Sequence, residues 1–131
     1  MSEGRILGTG IDLVENERML EMIKRWNQKF KDRVFLRREQ EYCDSKAFPC
    51  HHYAGRFAVK EAVSKAFGTG FGPHLGWLDI EVIRNPESGA PSIQLSKKAN
   101  EFARKYNTVD ILISLTHTKH YAVAHAFLLG K

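Results

Sequence analysis

Phe57-Ala-Val-Lys-Glu-Ala-Val-Ser-Lys-Ala-Phe-Gly-Thr-Gly70 is the stretch that decides the fold of this 131-residue chain. It predicts an amphipathic helix that stops at Gly68, because glycine takes the left-handed C-cap conformation at little cost. Positions three and four apart share a helical face, so Lys60, Glu61 and Lys65 are expected on or beside one stripe. The simplest interpretation is an ion pair between Glu61 and Lys65 on a solvated face. The alternative is a site that holds a metal ion and a phosphate.

A second carboxylate lies on the predicted strand of residues 5–14, whose side chains alternate between two faces. One face carries Gly8, Gly10 and Asp12, and the glycines leave the backbone open to a ligand or to another element. Aspartate is depleted in strands, so Asp12 is expected to have a specific task, with capping of the next helix as the structural alternative. Asp12 and Glu61 together are a ligand set typical of Mg²⁺, which takes its remaining ligands from water and phosphate.

Several residues are candidates for contacting that phosphate. Lys60 and Lys65 are expected to act as point charges beside Glu61. The backbone amides of the Gly68-Thr69-Gly70 segment are weaker candidates, because the segment lacks the P-loop pattern. His117 follows a predicted strand, whose end could aim it at the same pocket, although a single histidine is more often structural or exposed.

The remaining pattern predicts an α+β domain with an antiparallel sheet packed against helices, including one long central helix. A length of 131 residues and 43% hydrophobic content fit one domain over residues 1–131. Hydrophobic periodicity and turn signals set the expected elements. Helices are expected at residues 16–30, 36–45, 49–67 and 97–106, and further strands at 76–84, 92–95, 109–115 and 121–129, the last two as antiparallel neighbours.

Composition argues against several classes of protein. There is no run of 18 apolar residues, and Met1–Arg5 lacks the apolar core of a signal peptide, so we expect a cytoplasmic protein without membrane partners. Cys43 and Cys50 are too few for a disulfide framework. With His51 and His52 they could supply four zinc ligands, but their spacing matches no common structural zinc site.

The net charge of +5 is concentrated between residues 24 and 38, which carry seven basic residues and one acidic residue. A basic patch of this kind speeds association with an acidic partner, which could be nucleic acid, a membrane surface or an acidic protein. A solvated helix face is the plain alternative. A nucleic-acid-binding module without enzymatic activity is the main alternative function, although the segment lacks a recognition fold and suitably spaced stacking aromatics.

Three segments taken together resemble the holo-acyl-carrier-protein synthases, the small bacterial branch of the 4'-phosphopantetheinyl transferase superfamily. They are Gly10-Ile-Asp-Leu-Val-Glu-Asn-Glu-Arg18, Arg56–Gly70 and Ser114-Leu-Thr-His-Thr-Lys-His-Tyr-Ala-Val-Ala124, which follow in the right order over essentially the full length. The resemblance implies an enzyme that moves the 4'-phosphopantetheine arm of coenzyme A to a serine of apo acyl carrier protein and releases adenosine 3',5'-bisphosphate. It also implies a setting in fatty-acid biosynthesis, and a homotrimer with active sites between subunits.

The same resemblance gives roles to individual residues. Asp12 and Glu61 would hold Mg²⁺, with Glu61 and Lys65 as the catalytic residues. A metal-bound water is the first candidate for the base that takes the serine proton, and Glu61 is the second. The residues expected to bind coenzyme A are Lys60, Lys65, Gly68, Thr69, Gly70 and His117. The residues expected to meet the acidic helix of the carrier protein are Arg18, Arg25 and Lys29.

Overall fold

A three-stranded antiparallel sheet with the strand order β1-β5-β4 forms the base of the fold, and a two-stranded hairpin, β2-β3, lies beside it. The computed structural model describes residues 4–131, so the first three residues of the domain predicted over residues 1–131 lie outside it. In chain order the elements are β1 (Arg5–Glu15), α1 (Asn16–Val34), α2 (Arg37–Asp44), α3 (Pro49–Phe67), a 3₁₀ turn (Trp77–Asp79), β2 (Ile80–Arg84), β3 (Pro91–Leu95), α4 (Lys97–Lys105), β4 (Thr108–His117) and β5 (Tyr121–Gly130). The predicted α+β class and the antiparallel pairing of β4 with β5 are confirmed.

Helix α3 packs across the inner face of the main sheet and is buried on most sides. Its small side chains allow this close packing, because β5 also presents small residues at alternate positions. The buried residues of this layer are Ala58, Val59, Ala62, Val63 and Ala66 of α3 and Ala122, Ala124, Ala126 and Leu128 of β5. The helix is therefore a core element and not a surface helix with one buried stripe.

Three elements differ from the prediction by two residues or more at one end, and the other ends agree within one residue. Helix α1 continues to Val34 across a kink at Asn27, which has φ 51° and ψ −133°. The strand expected from residue 76 begins at Ile80, because the amide of Gly76 donates to Asp79 and closes the 3₁₀ turn. Strand β4 extends through His117, so the connector to β5 is shorter than expected.

The face of the main sheet opposite α3, here called the outer sheet face, is apolar and uncovered. Ile11 and Leu13 of β1 are 60% and 59% exposed, and Leu112 of β4 is 49% exposed. His125 lies at the centre of this face and hydrogen-bonds Thr9 across the strands at 2.7 Å. Several exposed apolar side chains on one sheet face are typical of an interaction site. Within residues 4–131, every helix falls short of the length or the apolar character that a membrane span needs.

Candidate active site

The two glycines of β1 let α3 lie directly on the strand. A Cβ atom on Gly10 would overlap the carbonyl oxygen of Ala62, and one on Gly8 would overlap the carbonyl oxygen of Ala66. The sequence left open whether the glycine face of β1 approaches a ligand or another element, and the structure shows that it contacts α3. This contact sets the next inward-facing side chain of β1, Asp12, beside the last turns of the helix.

Asp12 and Glu61 line one cavity of about 350 Å³, here called the carboxylate pocket. The ammonium group of Lys65 donates to Asp12 Oδ1 at 2.9 Å and to the carbonyl oxygen of Ile11 at 3.1 Å. Asp12 thus forms an ion pair with Lys65 of α3 and does not cap α1. Lys65 is half exposed, so its ammonium group also faces solvent. Asp12 and Glu61 therefore share the pocket, and Lys65 lies beside it through its ion pair with Asp12.

The electrostatics of the pocket favour a bound cation. Burial raises the pKa of Glu61, the nearby carboxylate of Asp12 raises it further, and Lys65 offsets part of the rise. A carboxylate whose ionisation is opposed by burial and by a neighbouring carboxylate gains from a divalent ion placed beside it. The oxygen ligands are also the kind that Mg²⁺ prefers.

Lys60 does not belong to this site, and the prediction that it contacts a phosphate is wrong. Its side chain is fully buried, and its ammonium group donates to Glu39 at 2.6 Å, to the Val34 carbonyl at 2.8 Å and to the Trp77 carbonyl at 3.0 Å. An ammonium group has three protons, so these acceptors use all of them. Lys60 instead ties α3 to α1, α2 and the 3₁₀ turn.

The Gly68-Thr69-Gly70 segment follows α3 as an exposed turn. Gly68 has φ 77° and caps the helix through its amide, which donates to the Lys65 carbonyl at 2.9 Å. That amide is therefore engaged within the cap. Gly70 also has a positive φ, of 66°. The role of this segment in coenzyme A binding stays a prediction.

A second cavity, of about 310 Å³ and here called the basic pocket, opens on the other side of α3. Its polar lining residues are Tyr42, Lys46, His52, Arg56, Arg84 and His117. Arg56 is 6% exposed, its guanidinium group lies 4.0 Å from the ring centre of Tyr42, and its Nε–H lacks a partner among the described residues. A buried guanidinium with a free N–H is suited to an anion such as phosphate.

The structure separates His117 from the carboxylate pocket of its own chain. Asp12 on β1 and His117 on β4 both point toward the helix layer, but β5 lies between their strands, which are about 10 Å apart, and the two residues are also offset along the sheet. The prediction that the strand end aims His117 at the Asp12 and Glu61 pocket is thus wrong within one chain. His117 contributes to the basic pocket instead.

A third feature is an apolar groove of about 580 Å³ that runs along α1. Its residues are Met22, Trp26, Lys29, Phe30, Arg33, Val34, Phe57 and Trp77, of which Met22, Phe30 and Phe57 also line the carboxylate pocket. Trp26 is half exposed, and Arg25 lies 5.3 Å from its ring centre. Arg18 lines the carboxylate pocket. The three predicted carrier-protein residues therefore follow one surface, along the groove and into the pocket.

Sequence reasoning missed most of the basic pocket and the groove. Lys46, Arg56 and Arg84 come from separate parts of the chain, and only the fold brings them together. Trp26 carried a usable signal, because a tryptophan within a basic run is unusual on a solvated helix.

The chain is similar to known proteins over almost its whole length. Residues 8–126 match the protein-family model described as the 4'-phosphopantetheinyl transferase superfamily. A protein of Protochlamydia amoebophila named holo-[acyl-carrier-protein] synthase is 43% identical over 120 residues, which cover 92% of this chain and 95% of that protein.

Solved structures show the same likeness. A Helicobacter pylori holo-[acyl-carrier-protein] synthase in complex with coenzyme A matches with a TM-score of 0.80 and 35% identity, over 92% of this chain and 98% of that chain. A Bacillus anthracis holo-(acyl-carrier-protein) synthase in complex with CoA (3',5'-ADP) matches with a TM-score of 0.78 and 32% identity, over 96% and 98% of the two chains.

Proposed function

This chain belongs to the 4'-phosphopantetheinyl transferase superfamily, and we propose that it transfers the 4'-phosphopantetheine group of coenzyme A to a serine of apo acyl carrier protein. The products are holo carrier protein and adenosine 3',5'-bisphosphate. The observation that carries the proposal is the carboxylate pocket, where Asp12 and Glu61 lie with Lys65 beside an apolar groove. Family membership favours this activity over the nucleic-acid-binding alternative.

Mg²⁺ fits the carboxylate pocket, and Asp12 and Glu61 are the residues that would hold it. The raised pKa of Glu61, caused by burial and then by Asp12, is the observation that supports this fit, because a divalent cation relieves both effects. When bound, the ion would neutralise charge on the phosphates of coenzyme A.

The chain's own residues then have distinct tasks. The serine oxygen of the carrier protein bonds to the phosphorus that carries the pantetheine arm, and the bond from that phosphorus to the bridging oxygen breaks as adenosine 3',5'-bisphosphate leaves. Lys65, held in place by Asp12 and the Ile11 carbonyl, offsets the negative charge that develops on the phosphate. The serine proton goes to a base, and Glu61 is the candidate among the chain's own groups because it lies at the carboxylate pocket.

The basic pocket supports recognition of coenzyme A, which carries a phosphate monoester on its ribose as well as a pyrophosphate. Arg56 offers a buried guanidinium with a free N–H, and Lys46 and His117 lie at the same cavity. These donors match a phosphate monoester in charge and hydrogen bonding. His117 accordingly keeps its proposed role in binding coenzyme A, in this pocket.

The groove along α1 supports docking of the carrier protein. Met22 and Trp26 offer apolar contact, while Arg18, Arg25 and Lys29 are exposed basic residues around it. An acidic amphipathic helix fits such a surface, with its apolar side in the groove and its carboxylates toward the basic rim. This placement leads the bound helix to the carboxylate pocket, since Phe57 lines both.

A homotrimer with sites between subunits explains two features at once. The outer sheet face, with Ile11, Leu13 and Leu112 exposed, offers an apolar surface that a second copy would cover. The carboxylate and basic pockets lie on opposite sides of α3, so one pocket from each of two neighbouring subunits could face a single coenzyme A. A repeated head-to-tail contact of this kind closes into a ring.

We place this reaction in cytoplasmic fatty-acid synthesis, where carrier proteins need the phosphopantetheine arm. The free thiols of Cys43 and Cys50 suit a reducing compartment. A polyketide carrier protein would need the same modification.

Intact-mass spectrometry of an apo acyl carrier protein tests the proposal. Incubation with this protein, coenzyme A and Mg²⁺ should add one phosphopantetheine mass to the serine, and a chelator should stop the addition. Asp12→Asn and Glu61→Gln should each lower the rate by about 100-fold or more, because each removes a carboxylate from the proposed ion site. Glu15→Gln is the matched control, since Glu15 lines the same pocket but is exposed. Wild-type rates in both pocket variants would refute the assignment.

A further inference from the structure

His52 is a partly buried residue of the basic pocket that the proposed mechanism does not use. It lies near the start of α3, and its ring centre is 5.6 Å from that of His117 and 5.7 Å from that of Tyr42. All three rings line the basic pocket. A group that enters the cavity therefore meets the imidazole of His52.

The charges around His52 have one sign. They come from the segment between α2 and α3, from α3 itself, from β2 and from β4. The charged or titratable groups that line the cavity or act on His52 are Lys46, His51, Arg56, Arg84 and His117, and Tyr42 of α2 adds a phenol. The residues that line the cavity include no carboxylate among those the structure describes. Burial, followed by His117 and then Arg56, lowers the pKa of His52 to about 4. The ring is therefore neutral at neutral pH in the ligand-free protein.

A phosphate dianion bound in the pocket would favour the protonated form of His52. Its two negative charges offset the cations that oppose protonation of His52, and an imidazolium can donate an N–H to a phosphate oxygen. Arg56 lines the same cavity with Lys46 and Arg84, so the pocket already carries the positive charge that an anion needs. Binding of the phosphate would then be coupled to the uptake of a proton by His52.

We propose that His52 is a specificity-determining residue for the phosphate monoester of coenzyme A and takes up a proton when that group enters the basic pocket. The inference rests on the proposed function, in which coenzyme A is the substrate. His52 is neutral without ligand and charged with it, so its contribution to binding is present at lower pH and is lost as pH rises through the pKa in the complex. The preference for coenzyme A over 3'-dephospho-coenzyme A should therefore strengthen as pH falls.

Titration calorimetry with coenzyme A and with 3'-dephospho-coenzyme A, each in two buffers of different ionisation enthalpy, measures the protons exchanged on binding. At about pH 6.5, the wild-type protein should take up on the order of half a proton more with coenzyme A than His52→Gln does. The free phosphate titrates identically with both proteins, so the difference in uptake reports the proton shared by His52 and the bound phosphate. The KM for 3'-dephospho-coenzyme A divided by the KM for coenzyme A should rise by about threefold for each pH unit of acidification in the wild type. The rise should be smaller in His52→Gln.

His117→Gln is the control for the neighbouring ring. Equal proton uptake by the wild type and His52→Gln, or a loss of uptake only in His117→Gln, would overturn the inference while leaving coenzyme A as the substrate. If the wild-type protein does not bind coenzyme A at all, the proposed function itself fails. Circular dichroism of both variants shows whether the fold is kept.

Discussion

Replacing Lys60 by Met tests whether this lysine stabilises the fold or binds a phosphate of the substrate. Lys60 and Glu39 are 0% and 1% exposed and form a 2.6 Å ion pair, and Glu39 also accepts from the amides of Leu36 and Val82. Removing the lysine leaves a buried carboxylate and two buried carbonyls without their donor. Breaking a buried pair from one side typically costs about 3–5 kcal/mol. For a chain of this length, that lowers Tm by on the order of 10–15 °C.

Two further variants make the experiment specific. Lys60→Met combined with Glu39→Gln should recover about 1–2 kcal/mol, because the buried charge is then removed as well. Lys65→Met is the matched control on the same helix: its pair with Asp12 is half exposed on the lysine side and should cost about 1 kcal/mol or less. Lys65→Met should instead abolish most of the transfer.

Urea unfolding followed by circular dichroism gives the free energy of unfolding, and transfer is measured on samples that remain folded. The reasoning is wrong if Lys60→Met keeps wild-type stability and instead raises KM for coenzyme A, because Lys60 would then be a substrate ligand.

Three other substitutions probe the contacts that build the site. Gly10→Ala should destabilise the protein by about 1–3 kcal/mol in the same urea assay, because its Cβ would overlap the α3 backbone. Gly72→Ala is the control and should be nearly neutral, since open space surrounds that residue. Equal effects of the two substitutions would contradict direct packing of α3 on β1. Ile11→Asp should convert the proposed trimer to monomers in analytical ultracentrifugation and lower activity, while Phe48→Asp, similarly exposed but outside the sheet, should not. An unchanged sedimentation profile would exclude the outer sheet face as the interface. Trp26→Ala should raise KM for the carrier protein by about tenfold without changing KM for coenzyme A, and a wild-type KM would remove the groove from the docking surface.

Local sequence signals predicted the backbone well. The glycine stop after Phe67, the alternation of β1 and the turn formers of residues 85–91 each act through near neighbours, and the structure confirms the elements they delimit. The two glycines of β1 signalled a close approach, and the structure shows that α3 makes it and so brings Lys65 to Asp12. The start of β2 moved because the Asp79 side chain accepts a hydrogen bond from the Gly76 amide and closes the 3₁₀ turn.

The positions of Lys60 and His117 could not be predicted in the same way. Adjacent residues on a helix are about 100° apart, and α3 is buried on most sides, so spacing alone does not tell which lysine meets solvent. Lys60 faces Glu39 of α2, and nothing local in the sequence specifies that contact. His117 meets Arg56 and Lys46 only because α3 and its preceding segment pack beside the end of β4.

Mixing two inactive variants tests most directly the central claim, that one active site uses the carboxylate pocket of one subunit and the basic pocket of another. Asp12→Asn disables the first pocket, and Lys46→Glu/His117→Glu disables the second by charge reversal. Each variant alone should leave apo carrier protein unmodified in intact-mass spectrometry. Equal amounts, unfolded and refolded together, should restore about a quarter of the wild-type rate, because a quarter of randomly formed interfaces join two intact pockets. No restored transfer from a mixture that has assembled into wild-type-sized oligomers would contradict a shared site.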